Sequence, residues 1–169
     1  IVTHDPALTQ KTSRQILISD GEVINEHLAK AFPHLPHNLL MEISHLIAEK
    51  SYTPGSSLTQ KGNTDAGFFL VTKGQVEVLR RCEKGDQETL GQIGPGEFFS
   101  LLDIQESPSC DLCFKAAPQE NVEVLSLDRE TVQKLVEREA SLAEILQAQA
   151  KQRSQEFCPR PKRRFFWRR

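Results

Sequence analysis

Cys110 and Cys113 form the C-x-x-C pair, the spacing in this sequence that most directly invites chemistry. Such a pair holds zinc when two more ligands complete a tetrahedron. It works as a redox centre when it opens a helix after a strand, where the helix end lowers a thiol pKa. Neither context is present. There is no second C-x-x-C and no H-x-x-x-H, and Pro108 and Asp111 do not announce a strand-to-helix turn. The expectation is two thiols in a half-buried loop. His4, His27, His34, His37 and His45 stand at no metal-ligand spacing to carboxylates. His34 and His37 flank Leu35-Pro36, a helix-to-helix turn, and suit surface or capping roles. No G-x-S-x-G and no P-loop occurs. The sequence therefore assigns no catalytic residue, no metal site and no cofactor, and the chain is expected not to be an enzyme.

Charge gives the second chemical signal. The chain has 169 residues, 21 bases and 23 acids. Residues 158–169 (CPRPKRRFFWRR) hold six bases and no acid: Arg160, Lys162, Arg163, Arg164, Arg168 and Arg169, with Trp167 and two Phe between them. Removing these six leaves 15 bases against all 23 acids in residues 1–157, a body charge of −8. A broad basic face for nucleic acid is excluded there. Any polyanion contact, whether an acidic membrane surface or a phosphate backbone, falls to the tail.

Composition sets the elements. Hydrophobic residues are 38% and charged residues 26%, a globular mixture with no apolar run long enough for a membrane-spanning helix. The chain opens on Ile1 with no leader-like segment, which suggests a piece of something longer. Val23, Ile24, Leu28, Ala31 and Phe32 predict a helix over 21–32, ended by Pro33. Leu39, Leu40, Ile43, Leu46 and Ile47 predict another over 37–50. From residue 51 the period becomes two, with glycines or prolines every several residues, so short strands of a roll are expected. Asp128 reads as the N-cap of a helical stretch over 129–153 with a break near Ala140-Ser141. The fold class is mixed α+β: an antiparallel β-roll or jelly-roll barrel flanked by N-terminal and C-terminal helices. The expected organisation is a lead-in and helix over 1–34, a domain over 35–153 with its roll at about 51–127, and a basic aromatic tail or linker over 154–169.

Several segments now become specific. Tyr52 to Asn63 (YTPGSSLTQKGN), Gly67 to Val78 (GFFLVTKGQVEV), Leu90 to Phe99 (LGQIGPGEFF) and Val124 to Asp128 (VLSLD) resemble successive motifs of the cyclic-nucleotide-binding domain family. In that resemblance Gly67 to Val78 is a hairpin turning at Gly74, and Gly94 and Gly96 allow a tight approach before the pocket. The ligand pocket follows Phe98-Phe99. The resemblance implies a phosphate-binding cassette there, "G-E-[LI]-[AS]-L-L-D-x-x-P-R-[ST]-A", with a ribose-binding Glu and a phosphate-binding Arg. This chain has SLLDIQESPSCDL and then CFKA. Read without gaps, Ser100 stands for the Gly, Leu101 for the Glu, Cys110 for the Arg and Asp111 for the Ser or Thr. Losing the arginine partner of a buried phosphate costs on the order of 2–5 kcal/mol. An unmatched ribose hydroxyl costs a further ~1–3 kcal/mol. A second register keeps Glu97 as the ribose contact through Gly96-Glu97, but needs an insertion and still lacks the Arg.

The pocket candidates are thus Gly96, Glu97, Phe98, Phe99, Ser100, Leu101, Leu102, Cys110, Asp111 and Leu112. Lys61, Lys73 and Lys115 gain no ligand role from the sequence. In the family a helix after the last strand swings over bound nucleotide, so Leu142, Ile145 and Leu146 are the lid candidates, or a dimerising stripe. The tail around Lys162 to Arg169 also resembles the "K-R-[FY]-P-F-x-x-Q" lead into the peptidase domain of peptide-exporting ABC transporters, without its Pro. The resemblance implies a regulatory or sensory domain of a larger protein, such as an exporter, that does not bind cyclic AMP or GMP in the usual way. The alternatives are a cyclic mono- or dinucleotide sensor with a rearranged pocket, and a tethering module working through the tail. The expected partners are other domains of the same polypeptide, a second copy through the C-terminal helices, a nucleotide ligand and an acidic surface. The expected setting is the cytoplasm, or the inner membrane face as part of a larger membrane protein.

Overall fold

Side chains alternate across a strand. Phe68, Phe69, Leu70 and Val71 are all apolar, so a strand built from them needs cover on both faces. The computed structural model provides that cover. It describes residues 17–19, 21–58, 66–81, 87–100 and 112–157. In chain order the elements are β1 (Leu17–Ser19), β2 (Glu22–Ile24), α1 (Glu26–Ala31), α2 (His37–Leu46), β3 (Ala48–Tyr52), β4 (Ala66–Lys73) and β5 (Val76–Arg81). There follow β6 (Gln87–Ile93), β7 (Phe98–Ser100), β8 (Leu112–Ala116), β9 (Val122–Asp128), α3 (Arg129–Arg138) and α4 (Ala140–Phe157). One sheet has the order β3-β9-β4-β7 and the other β6-β5-β8, with antiparallel pairing throughout.

The two sheets enclose one core, made by Phe69, Val71, Phe99, Val122 and Val124 from the first and Val76, Val78, Ile93, Phe114 and Ala116 from the second. The other face of β4 and β9, with Phe68, Leu70, Leu125 and Leu127, packs on the four helices. The arrangement is an antiparallel β-roll with a helical layer on one side. The segment after β3 closes the roll onto β8: Gly55 N–H donates to Ala116 O (2.9 Å), and Leu58 N–H to Phe114 O (2.8 Å).

Four expectations need correction. The helix over 21–32 is instead β2 followed by α1. Asn25 caps α1, its Oδ1 accepting from His27 N–H at 3.0 Å, while Ile24 is buried and Val23 exposed. The second helix stops at Leu46, and residues 48–52 form a strand on β9. That strand is exposed and charged at a sheet edge, so it carries no alternation to announce it. The stretch around Gly74 is not a hairpin. β4 pairs with β7 and β9, and β5 with β6 and β8, so Gly74 marks a change of sheet. Its φ of +74° suits glycine, and a Cβ there would come 2.6 Å from Asn121 O. Cys113 lies buried in β8 rather than in a loop.

The break in the last helical stretch falls at Glu139, beside the expected place. There Arg138 bridges Glu42 of α2 and Glu139. The helical stretch runs past 153 to Phe157, four residues further than predicted, because Phe157 is buried.

Asp128 caps α3 as expected, accepting from Thr131 N–H at 2.8 Å and from the Thr131 hydroxyl at 2.6 Å. The Thr131 hydroxyl first, and its N–H second, hold the carboxyl below its ordinary range. A depressed carboxyl stabilises the fold above its unfolded pKa and loses that contribution as pH falls through the folded one. Asp128→Ala is expected to cost about 1 kcal/mol near neutral pH. The gap to wild type should narrow below about pH 3.9, and Asp128→Asn should keep most of the stability. Urea melts at pH 7 and pH 3 check this; an unchanged gap would exclude a role for the charge.

Candidate functional site

The region marked for a ligand runs from the β6–β7 turn to the start of β8. Leu101, Leu102, Cys110 and Asp111 lie outside the described residues, as do Arg160, Lys162, Arg163, Arg164, Trp167 and Arg168 of the tail. Gly96, Glu97, Phe98, Phe99, Ser100 and Leu112 are placed.

Pro95 and Gly96 occupy the centre of a tight turn, with Gly96 at φ +84° and Glu97 N–H donating to Gly94 O at 3.1 Å. The same turn is pinned to β4: Gly96 N–H donates to Val71 O (2.8 Å) and Val71 N–H to Glu97 O (3.0 Å). A Cβ on Gly94 would come no nearer than 3.7 Å to Glu97 Oε2, so no tight approach demands glycine there. Gly94 serves instead through its N–H, which donates to Glu97 Oε2 at 2.7 Å.

β7 sends its two phenylalanines to opposite faces. Phe98 meets Phe32 and Phe68 under the helices, with centroids 4.7 and 5.7 Å away. Phe99 lies in the roll, stacked between Phe69 at 5.1 Å and Phe114 at 4.4 Å. Ser100 is buried, its hydroxyl donating to Gly67 O at 2.9 Å. Leu112 is half-buried against the roll core. The described part of the candidate pocket is therefore packed, hydrogen-bonded structure.

α4 divides into two halves. Leu142, Leu146 and the half-buried Ile145 belong to the helical-side core. Gln149, Arg153 and Phe157 of α4, four apart on one helical face, reach the roll. Gln149 Nε2 donates to Phe98 O at 3.4 Å. Arg153 is 5% exposed, and its guanidinium reaches Glu97 Oε1 at 2.9 Å and Glu156 Oε2 at 3.3 Å. Among the described residues nothing accepts from its Nε. Phe157 is buried in the roll core, and a Cβ on Gly91 would sit 2.8 Å from its Cε1. The sequence reading passed over Arg153 and Phe157. Their signal was the spacing 142, 146, 150, 153, 157, which continues the buried stripe through a charged residue.

Lys115 donates to Gln87 Oε1 at 2.7 Å and Lys73 to Glu123 Oε1 at 3.4 Å, while Lys61 lies outside the described residues. His45 Nε2 lies 2.8 Å from Glu22 on the surface. A groove of about 260 Å³ is lined by His27, Glu49, Lys50, Ser51, Thr72 and Glu123, with Val124 and Leu125 beneath. It mixes both signs of charge and shares no residue with the β6–β7 turn. Among the described residues, no three His, Cys, Asp or Glu side chains gather as a metal site, and no helix is long and apolar enough to cross a membrane.

This geometry agrees with what the chain resembles. Residues 49–139 match the cyclic nucleotide-binding domain family. The cyclic AMP receptor protein of Thermus thermophilus is 33% identical over 100 residues, covering 57% of this chain and 44% of that protein. A Drosophila melanogaster cGMP-dependent protein kinase, isozyme 2 forms cD5/T2, is 26% identical over 106 residues, 62% of this chain and 11% of the kinase. The chain thus spans less than half the length of these relatives. The crystal structure of Thermus thermophilus catabolite activator protein superposes with a TM-score of 0.61 at 25% identity, covering 75% of this chain and 59% of that one. With the family matched across more than half its length on a two-sheet roll with a docked terminal helix, the chain belongs to the cyclic nucleotide-binding domain family.

The stacked phenylalanines make a direct test of the roll. Phe99→Ala is expected to lose about 3–5 kcal/mol in urea unfolding. Phe99→Leu, which keeps most of the volume, should lose much less. Equal losses would show that ring volume between Phe69 and Phe114 does not matter.

Proposed function

We infer that this chain is a regulatory, non-catalytic domain working within a larger polypeptide, and that it does not take cyclic AMP or cyclic GMP in the family's usual way. The observation that carries the reading is the cassette sequence after Phe99, where Leu101 and Cys110 stand at the ribose-binding and phosphate-binding positions. A cyclic phosphate would enter without an arginine fork, and Asp111 beside it adds repulsion if it faces the site. The domain would span residues 35–153, preceded by a lead-in and followed by the basic tail. The tail's likeness to exporter linkers supports a parent protein of the peptide-exporting type, with this domain on the cytoplasmic side. Regulation would then pass through contacts with neighbouring domains, or through a larger ligand such as a cyclic dinucleotide.

Calorimetry with cyclic AMP, cyclic GMP and a cyclic dinucleotide tests this. No cyclic mononucleotide is expected to bind more tightly than about 1 mM. The double variant Leu101→Glu, Cys110→Arg should tighten binding by about two orders of magnitude or more. Micromolar binding of cyclic AMP or GMP by the unaltered chain would overturn the reading and point to another cation.

The segregation of six bases and three aromatics into residues 158–169 favours a second, compatible role in tethering. Binding to vesicles rich in anionic lipid should fall steeply with added salt and vanish on deletion of 158–169. Retention after deletion would exclude it.

A further inference from the structure

We propose that the basic aromatic tail, residues 158–169, docks in cis on the outer face of the β1–β2 hairpin, its aromatics on Ile18 and Val23 and its bases toward the acids around them. The docking does not rest on the regulatory reading above. It bears on the tethering role, because a tail held by the hairpin is withheld from a membrane.

Among the described residues β1 and β2 pair with each other and with no other strand. Ile24 is buried in the helical core, so Val23 and its cross-strand partner Ile18 share the opposite face. Val23 is 60% exposed and Ile18 63%; with Leu46 at 47%, they are the exposed large hydrophobics of the described residues. Leu46 follows His45, whose Nε2 lies 2.8 Å from Glu22 of β2. All of this apolar exposure therefore belongs to the hairpin and to the end of α2 joined to it. Apolar exposure gathered in one place marks a contact surface.

Size and charge select the occupant. A stable dimer needs about 800 Å² from each partner, far more than these side chains offer. A segment already on the chain needs less, since its tether sets its effective concentration. Residues 15–29 hold Asp20, Glu22 and Glu26 and neither Lys nor Arg. Such a surface suits an apolar segment flanked by bases. Phe165, Phe166 and Trp167 have that pattern, between Lys162-Arg163-Arg164 and Arg168-Arg169. The reach is sufficient. Phe157 is fixed in the roll core, and the ten residues from there to Trp167 extend up to about 35 Å. A domain of this length has a radius of gyration of about 15 Å.

Trp167 is the only tryptophan, so its fluorescence in the full chain reports on the tail directly. Its emission should lie to the blue of that of a free 158–169 peptide. Acrylamide should quench it about twofold less than in the peptide, as for a ring with one face covered. Ile18→Thr combined with Val23→Thr removes apolar surface and keeps β-branched residues, so the hairpin should persist. Quenching in that double variant should rise to the peptide's level with the thermal melt unchanged. Glu22→Gln, which leaves the apolar face intact, should raise it part of the way, and added salt should do the same to the unaltered chain. The protection should not depend on protein concentration. Quenching of the unaltered chain equal to the peptide's, protection that survives both variants, or protection lost on dilution would overturn the proposal. The readout uses neither nucleotide nor vesicle, so its failure is distinct from failure of the regulatory or tethering reading.

Discussion

β4 and β9 carry apolar side chains on both faces, and water must be kept from both. That requirement sets the order of layers. One face is closed by the second sheet, which brings Val76, Val78, Ile93 and Phe114 against Phe69 and Val124. The other is closed by helices drawn from both ends of the chain, with Leu28, Phe32 and Leu39 before the roll and Val132, Leu135 and Leu146 after it. Neither helical group could cover that face alone. The N-terminal helices are short, and helices of 6 and 10 residues are marginal without tertiary packing. The terminal helices are therefore integral to the fold.

A charge buried against an apolar roll must also be explained. Desolvating Arg153 opposes folding, and its attraction to carboxylates offsets this only with good geometry. Glu97 supplies that geometry because the turn before β7 is itself fixed. Gly94 N–H orients one carboxylate oxygen and leaves the other for the guanidinium. The Phe157 ring, 5.7 Å from the guanidinium carbon, adds a favourable face. Among the described residues nothing accepts from the Arg153 Nε, so the pairing is incomplete there.

The parts of the fold that could be read in advance were those written in glycine, proline and paired aromatics at fixed spacing. The turn at Gly96, the Phe98-Phe99 pair and the Asp128 cap all fall where the residue types require them. The parts that could not be read depend on partners distant in sequence. Residues 48–50 look like the end of a helix until β9 is there to pair with them. Gly74 looks like a hairpin turn because sequence does not show that its two strands enter different sheets. Arg153 carries no motif that marks it, and only the fold brings Glu97, 56 residues away, to it. Of the candidate site, the turn and β7 were legible as a motif, whereas their contact with the end of α4 was not.

That contact bears on which register the cassette follows. A glutamate that receives a ribose hydroxyl needs a carboxylate oxygen directed at the ligand. Glu97 has Oε2 bound to its own turn and Oε1 bound to Arg153. Both oxygens are thus held by the protein's own groups, which fix the direction of the carboxylate. Its backbone is also committed, through Gly96 and Glu97, to Val71 of β4. These constraints make Glu97 part of the frame that carries β7, which suits the ungapped register proposed above, in which the cassette begins at Ser100. In that register the ribose position falls to Leu101, which accepts no hydrogen bond through its side chain.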